Sequence, residues 1–255
     1  MKITGATRVY CLLGDPLHKA RTPEYFNGLF AERGIDALMV PLELPDGCLP
    51  LFFDSFKKTK NLDGLILTMP HKVGMAKLVD ELLPNGRNVG AINTARRKPD
   101  GTWVGEMFDG LGYTGALARK GIDPAGKRVH MIGAGGVARA IGFALLEKGV
   151  GGLTLTDLDK AKAESLAEAL KGKVQAQPRD ADIVINCTPL GMRDGDPLPC
   201  DVSKIRSGAL ASDVTTKPEI TPFLAAAQAR GHSVTTGRDM FEAQTHAIAV
   251  FFGWT

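Results

Sequence analysis

A strand-to-helix turn in the second half of the chain has the residue spacing of a phosphate-binding loop. Small residues give the pattern G-x-G-x-x-A between an apolar, strand-like run and a segment with helical periodicity. In such a loop the backbone turns tightly and approaches a pyrophosphate, and the N–H groups of the helix N-terminus face the phosphates. The pattern predicts that a dinucleotide cofactor binds at Gly133, Ala134, Gly135, Gly136, Val137 and Ala138. A turn whose glycines serve packing alone is the alternative.

An acidic residue ends the next strand-like run. Asp157 follows Ala138 by about 20 residues, the separation expected for a carboxylate that binds the ribose of the cofactor. A carboxylate there favours the ribose hydroxyls of NAD and repels the 2′-phosphate of NADP. Lys160 and Lys162 lie on the following helix, where they would reduce that repulsion. We therefore expect NAD rather than NADP as the cofactor. Alternatively, Asp157 is a helix N-cap.

Composition narrows the class of protein. The chain has 255 residues, of which 44% are hydrophobic and 23% charged, with a formal net charge of +3. These values are typical of a folded domain and give no reason to expect nucleic acid or membrane binding. No apolar run approaches the roughly 20 residues of a membrane span. The N-terminus lacks a signal-peptide pattern, so we expect a cytoplasmic protein.

The four cysteines do not form a metal-binding pattern. None lies in a CxxC pair and no histidine cluster accompanies them. We therefore expect reduced thiols and no metal site. The cysteines are Cys11, Cys48, Cys187 and Cys200.

Strand-like and helix-like segments alternate along the chain, which predicts an α/β fold. The first series runs to about residue 108 and includes a helix capped by Thr22 and a hairpin of residues 89–95 and 102–104. The second series contains the glycine-rich turn. We expect two α/β domains. Residues 1–108, completed by 238–255, would bind the substrate, and residues 109–237 would form a Rossmann domain that binds NAD.

Six further motifs occur in a fixed order along the chain. They are Gly14-Asp15-Pro16 with Arg21-Thr22-Pro23, Gly64 to Lys72, Gly90 to Thr94, Gly105 to Gly110, Asn186 to Met192, and Gly237 to Gln244. Together they resemble the motifs of the shikimate/quinate dehydrogenase family. The resemblance covers most of the chain and implies an oxidoreductase whose last helix returns to the N-terminal domain.

The resemblance also implies roles for individual residues. It makes Lys72 and Asp109 the catalytic pair at the domain cleft. The residues that would bind the substrate are Thr22, Thr68, Asn93 and Gln244. Those added to the cofactor site are Thr188, Pro189, Leu190, Gly237 and Met240.

These residue types suit the oxidation of an alcohol. A lysine in a partly dry cleft can take the hydroxyl proton or stabilise the alkoxide, and an aspartate can hold the hydroxyl in place. For Lys72 the alternative is a solvated helix residue, and for Asp109 a helix N-cap. His71 is the rival general base, although the resemblance makes it a spacer.

The chain departs from the family pattern mainly where the substrate carboxylate should bind. Two serines are expected in the opening motif, but Ala20 and Thr22 stand there, and Lys19 replaces the family histidine. Losing one hydrogen bond to a charged group costs about 1.5–3 kcal/mol. The other departures are Ile66, Met107, Phe108 and Thr216.

We therefore expect an NAD-dependent oxidoreductase that acts on a ring hydroxyl of a shikimate- or quinate-like cyclic hydroxy acid and has an altered pocket. It would act as a monomer or homodimer. The alternative is a non-catalytic NAD-binding relative that serves as a sensor or scaffold.

Overall fold

The computed structural model describes residues 2–18 and 20–255. The chain divides into two compact units: a first unit that ends at Phe108 and includes Ile248–Thr255, and a second unit of Asp109–Ala247. Lys19, the substituted position of the opening motif, lies outside the described residues. In the part of the chain that is described, no helix combines the length and the hydropathy that a membrane span requires.

The first unit is built on a mixed sheet. Its elements are β1 Arg8–Gly14, α1 Thr22–Arg33, β2 Ala37–Glu43, α2 Leu49–Phe56, β3 Leu62–Leu67, α3 Lys72–Ala76, β4 Glu81–Leu82, α4 Pro84–Val89, β5 Thr94–Arg97 and β6 Trp103–Glu106. The strand order is β2-β1-β3-β5-β6-β4. Strands β1, β2 and β3 are parallel, whereas β5 is antiparallel to both β3 and β6. Buried side chains from β1, β3 and α2, with Trp103 at their centre, form the core on one face.

The second unit is a doubly wound parallel sheet. Its elements are α5 Asp109–Arg119, β7 Arg128–Ile132, α6 Gly136–Glu147, β8 Gly152–Thr156, α7 Lys160–Ala169, β9 Lys173–Val174, β10 Ile183–Asn186, a 3-10 helix Val202–Lys204, β11 Leu210–Asp213, α8 Pro222–Ala229, β12 Val234–Thr235 and the part of α9 Gly237–Phe252 that ends at Ala247. The order β9-β8-β7-β10-β11-β12 is the 3-2-1-4-5-6 arrangement of dinucleotide-binding sheets. The predicted α/β fold with a Rossmann-like second unit is confirmed.

Two local expectations need correction. Helix α1 has Arg21 as its N-cap, so Thr22 is the first helical residue and does not cap the helix. The hairpin turns as predicted, but its first strand begins only at Thr94. Val89 is instead the last residue of helix α4, and Gly90 caps that helix in the left-handed conformation with φ 72°. The buried Glu106 carboxylate stabilises this helix, because it accepts the Gly86 N–H at 2.6 Å.

A buried histidine in the second unit predicts an acid-sensitive fold. His130 in β7 is fully buried, its Nδ1 lies 2.9 Å from Thr154 Oγ1, and burial lowers the pKa of its imidazole to about 4. An unfolded histidine titrates near 6.5, so the unfolded chain gains a proton as the pH falls through this range and the folded chain does not. We expect the free energy of unfolding to fall by about 2 kcal/mol more between pH 7 and 5 than in a His130→Gln variant.

Chemical denaturation at the two pH values measures this difference. His246→Gln is the matched control, because His246 is exposed, and it should keep the pH dependence of the unsubstituted protein. An identical pH dependence in the His130→Gln variant would refute the assignment.

Candidate active site

The glycine-rich turn between β7 and α6 has the geometry of a phosphate cradle. Gly133 adopts φ 102°, and a Cβ there would lie 3.1 Å from the Cys187 carbonyl oxygen, so a side chain at this position would strain the turn. Gly135 is the N-cap of α6, and no atom lies within 4 Å of where its Cβ or that of Gly136 would stand. Ala138 is fully buried against the sheet. The turn therefore leaves open space in front of the helix N-terminus and fits a pyrophosphate.

The Asp157 carboxylate accepts a hydrogen bond from the backbone of this turn. Its Oδ2 accepts the Ala134 N–H at 2.7 Å, and its Oδ1 accepts the Asp159 N–H at 2.8 Å. The N-cap of α7 is Asp159, whose side chain accepts the Lys162 N–H. The N-cap alternative for Asp157 is therefore wrong, and its carboxylate joins two loops of the second unit.

A cavity of about 400 Å³ opens beside the turn, within the second unit. The backbone of Ala134, Gly135 and Gly136 forms one wall, and Arg139 and Lys162 add positive charge to the lining. Arg139 comes from the first turn of α6 and Lys162 from the first turn of α7. A second anionic group of a nucleotide would meet two cations here.

A buried polar network supports the loop that carries Thr188, Pro189 and Leu190. Asn186 donates to the Leu190 carbonyl at 3.1 Å and to Asp213 Oδ2 at 3.0 Å, while its own carbonyl accepts from Thr188. Burial raises the pKa of the Asp213 carboxyl, and hydrogen bonds such as the one from Thr221 at 2.8 Å oppose that rise. The network holds the loop beside Gly133.

The start of α9 approaches the sheet very closely. A Cβ at Gly237 would lie 2.3 Å from the Thr215 carbonyl oxygen, so only glycine fits. Met240, one turn later, is 8% exposed and packs in the core of the second unit. Both residues therefore have structural reasons for their identity besides the proposed contact with the cofactor.

Two of the predicted site residues meet in the second unit. Gln244 Nε2 in α9 donates to Asp109 Oδ1 at 2.7 Å, and Asp109 is 4% exposed. Glycines make this approach possible: a Cβ at Gly112 would lie 2.7 Å from Gln244 Cβ, and one at Gly110 would lie 2.3 Å from the Ala140 carbonyl oxygen. Helix α5 begins at Asp109 itself, which places the carboxylate at the end of the helix.

The other predicted residues gather in the first unit, where β3 ends. The Thr68 N–H donates to the Leu13 carbonyl at 2.8 Å, and a Cβ at Gly14 would lie 2.3 Å from Thr68 Cγ2. The Leu67 N–H donates to the Asn93 carbonyl at 2.7 Å. The backbone therefore brings the opening motif, Thr68 and Asn93 to one end of the sheet.

Lys72 is the first residue of α3, immediately after this cluster, and is partly buried. Its carbonyl accepts the Ile92 N–H at 3.0 Å, which fixes the start of the helix next to Asn93. His71 is 2% exposed, and its Nε2 donates to the Leu44 carbonyl at 2.7 Å. His71 therefore has a structural partner, and Lys72 places a basic side chain after the end of β3.

Asn93 is fixed by its neighbours. It is 3% exposed, and its Oδ1 accepts the Phe108 N–H at 2.9 Å.

In the opening motif Ala20 is exposed and Thr22 partly buried. Close to this motif, Glu43 Oε1 accepts the Leu17 N–H at 2.7 Å and so adds an acidic group to it.

Comparison with known proteins decides the family. The family model of the shikimate dehydrogenase substrate binding domain matches residues 12–95. The shikimate dehydrogenase (NADP(+)) of Rubrobacter xylanophilus is 34% identical over 94% of this chain and 88% of the relative. The chain belongs to the shikimate/quinate dehydrogenase family. It is a shikimate/quinate dehydrogenase-like oxidoreductase that acts on a CH–OH group, and the alternative of a non-catalytic sensor or scaffold is not favoured.

Solved structures of this family share both units. A shikimate 5-dehydrogenase from Listeria monocytogenes, in complex with shikimate and NAD, matches with a TM-score of 0.88 and 30% identity over 96% of this chain and 91% of that protein. The ligand-free 5-ketofructose reductase of Gluconobacter sp. strain CHM43 matches with a TM-score of 0.90 and 26% identity over 98% and 94%.

The expectation of NAD as the preferred cofactor is wrong. Eight curated relatives, 30–34% identical to this chain, all carry the name shikimate dehydrogenase (NADP(+)), although the Listeria structure contains NAD. The physical reason lies in Asp157. Since both of its oxygens accept backbone N–H groups, its charge is partly compensated, and Arg139 and Lys162 add opposite charge nearby.

The sequence interpretation missed Arg139 and gave Lys162 only a minor part. Both stand in the first turn of a helix that follows a parallel strand, which places them at the carboxyl edge of the sheet. That position after a parallel strand was the feature of the sequence from which the two cations could have been found. The hydrogen bond between Asn186 and Asp213 could not be predicted from a local sequence pattern, because the two residues belong to different strands.

Proposed function

We propose that the protein transfers a hydride between NADP and a ring hydroxyl of a shikimate- or quinate-like cyclic hydroxy acid. The hydrogen bond between Asp109 and Gln244 carries the proposal, because it joins an acidic and an amide side chain of the kinds that orient a hydroxyl substrate. The clustering of Thr68, Lys72 and Asn93 in the first unit supports it.

The bound nicotinamide would supply the hydride acceptor or donor. Lys72 takes the proton of the reacting hydroxyl during oxidation and returns it during reduction. Asp109 accepts a hydrogen bond from a substrate hydroxyl and orients it. Gln244, fixed by Asp109, and Asn93, fixed by Phe108, bind the other ring hydroxyls.

The second unit would hold NADP. The backbone N–H groups of the turn before α6 bind the pyrophosphate, and the ring of Phe143, over which Arg139 lies at 5.3 Å, fixes the direction of the guanidinium. Arg139 and Lys162 together bind the 2′-phosphate.

Neutralising either cation should therefore weaken NADP selectively. Since both side chains are partly solvated, we expect Arg139→Gln and Lys162→Gln each to raise the Kd for NADPH by about tenfold and to leave the Kd for NADH within about twofold. Fluorescence titration with each reduced cofactor measures both constants.

Lys160→Gln is the control, because Lys160 is on the same helix as Lys162 and, like it, has an acidic partner, but it does not line the cavity. Equal losses for NADPH and NADH in the variants would contradict a 2′-phosphate role and assign the cations to the shared pyrophosphate.

A second substrate class is favoured by one observation. Ala20 replaces a hydroxyl that the family resemblance assigns to carboxylate binding, and the Glu43 carboxylate lies beside the same motif. Both features disfavour an anionic substrate. The structural relative named 5-ketofructose reductase acts, by its name, on a polyhydroxy ketone that has no carboxylate. We propose such neutral polyhydroxy ketones as the second candidate.

Turnover of a substrate panel tests the proposal. Shikimate and quinate with NADP, and 5-ketofructose with NADPH, are compared by kcat/KM from the absorbance of the reduced cofactor. The main proposal predicts the highest value for a cyclic hydroxy acid. If only 5-ketofructose were turned over, the second candidate would replace the main proposal. If NADP bound but no compound were turned over, both proposals would be wrong.

A further inference from the structure

A second cavity of about 430 Å³ lies in the first unit, at the end of the sheet where β1 and β3 begin. Thr68 and Lys72 follow the opposite end of β3. The cavity is thus separated from them by the length of a six-residue strand, roughly 20 Å. The proposed function makes no use of it.

The lining of this cavity carries an excess of positive charge. Its basic residues are Arg8, Lys60, Arg96, Arg97 and Lys98. Arg8 pairs with Asp63, and Lys98 pairs with Glu81. Within residues 2–18 and 20–255 the other three form no ion pair, so three positive charges remain uncompensated at one concave surface.

Arg97 and Arg96 differ in how they are held. The Arg97 guanidinium donates to the carbonyls of Lys57 and Thr59 at 2.9 and 2.8 Å. Arg96 lies over the Phe251 ring, 4.8 Å from its centroid. In the described part of the chain its side chain makes no hydrogen bond, and its Nε is buried without a partner.

A buried Nε without an acceptor is unusual, because buried polar groups are nearly always hydrogen-bonded. The Phe251 ring fixes the plane of the Arg96 guanidinium, and strand β5 fixes its backbone opposite Gly64. A planar, preoriented fork of N–H donors matches two oxygens of a phosphate.

We propose that this cavity is a phosphate-binding site, with Arg96 as the bidentate ligand and Lys60 and Arg97 supplying further positive charge. Three uncompensated cations match the dianion of a phosphate better than a single carboxylate. The phosphate is either the free ion or the head of a small phosphate ester, which the aromatic side chains of Tyr10 and Phe252 would contact.

Calorimetric titration of the full chain tests the proposal. Inorganic phosphate and glycerol phosphate are titrated at constant ionic strength into the unsubstituted protein and into Arg96→Gln. We expect saturable binding that Arg96→Gln weakens at least tenfold, roughly the loss of one charged hydrogen-bonding partner. Arg179→Gln, which removes the same charge from an exposed position of the second unit, should leave binding unchanged. The tighter of the two probes identifies the source of the phosphate.

Soaking a crystal of the unsubstituted protein with tungstate, a heavy analogue of phosphate, locates the site directly. This experiment needs no variant and so does not depend on whether Arg96→Gln folds. The proposal predicts tungstate within hydrogen-bonding distance of the Arg96 guanidinium. Equal affinity of Arg96→Gln and the unsubstituted protein, or tungstate bound only in the second unit, would overturn it.

Discussion

Lys72→Ala is expected to lower kcat by about a thousandfold and to leave the affinity for NADP within about twofold. A positioned side chain that moves a proton in the transition state contributes roughly 10²–10⁴ to the rate. Lys72 begins α3 beside Thr68 and Asn93, whereas the predicted NADP contacts belong to the second unit. Steady-state kinetics with the best substrate of the panel, together with NADPH titration, measures both quantities.

Lys77→Ala is the matched control, because Lys77 is an exposed lysine at the other end of the same helix. It should keep kcat close to that of the unsubstituted protein. If Lys72→Ala retained more than about a tenth of kcat, Lys72 would not be the proton-transferring group. If NADP affinity fell as much as kcat, the loss would reflect damage to the fold.

Asp109→Asn should have the second largest effect, a fall in kcat of about a hundredfold. The substitution keeps the size of the side chain, and its Oδ1 can still accept the Gln244 N–H that lies 2.7 Å away. The charge is lost, so the group binds a reacting hydroxyl less strongly. We expect the change in kcat to exceed the change in KM.

The control for this variant is Asp123→Asn, which removes one negative charge at an exposed turn of the same unit. It should change neither constant. If Asp109→Asn lowered the melting temperature but left kcat nearly unchanged, Asp109 would serve the packing of α5 against α9, and not the reaction.

Much of this fold is readable from local patterns. The turn at Gly133 was predictable because its strand, glycines and helix are adjacent in sequence and each has its own physical signature. The end of α1 at Gly34, with φ 65°, followed in the same way. Helix α4 was not predictable from its Pro-Asn-Gly start, since its support comes from Glu106, 20 residues further along the chain.

The wrong prediction of the cofactor also arose from contacts between residues that are far apart in the sequence. An acidic residue after β8 carries a clear local meaning, but the orientation of the Asp157 carboxylate depends on the Ala134 N–H, which is 23 residues away. Likewise, Arg139 and Lys162 line one cavity only because two helices begin at the same edge of the sheet. Local sequence patterns predicted candidate site residues, whereas tertiary contacts determine which of their atoms are already hydrogen-bonded.

Transfer of isotope tests the central claim most directly. The protein is incubated with NADPH deuterated at the reactive carbon of the nicotinamide and with the ketone obtained by oxidising a ring hydroxyl of shikimate or quinate. We expect deuterium on the carbinol carbon of the product, transferred at a rate that Lys72→Ala lowers about a thousandfold. Product that carries hydrogen from solvent at that carbon, or transfer that does not depend on Lys72, would contradict it.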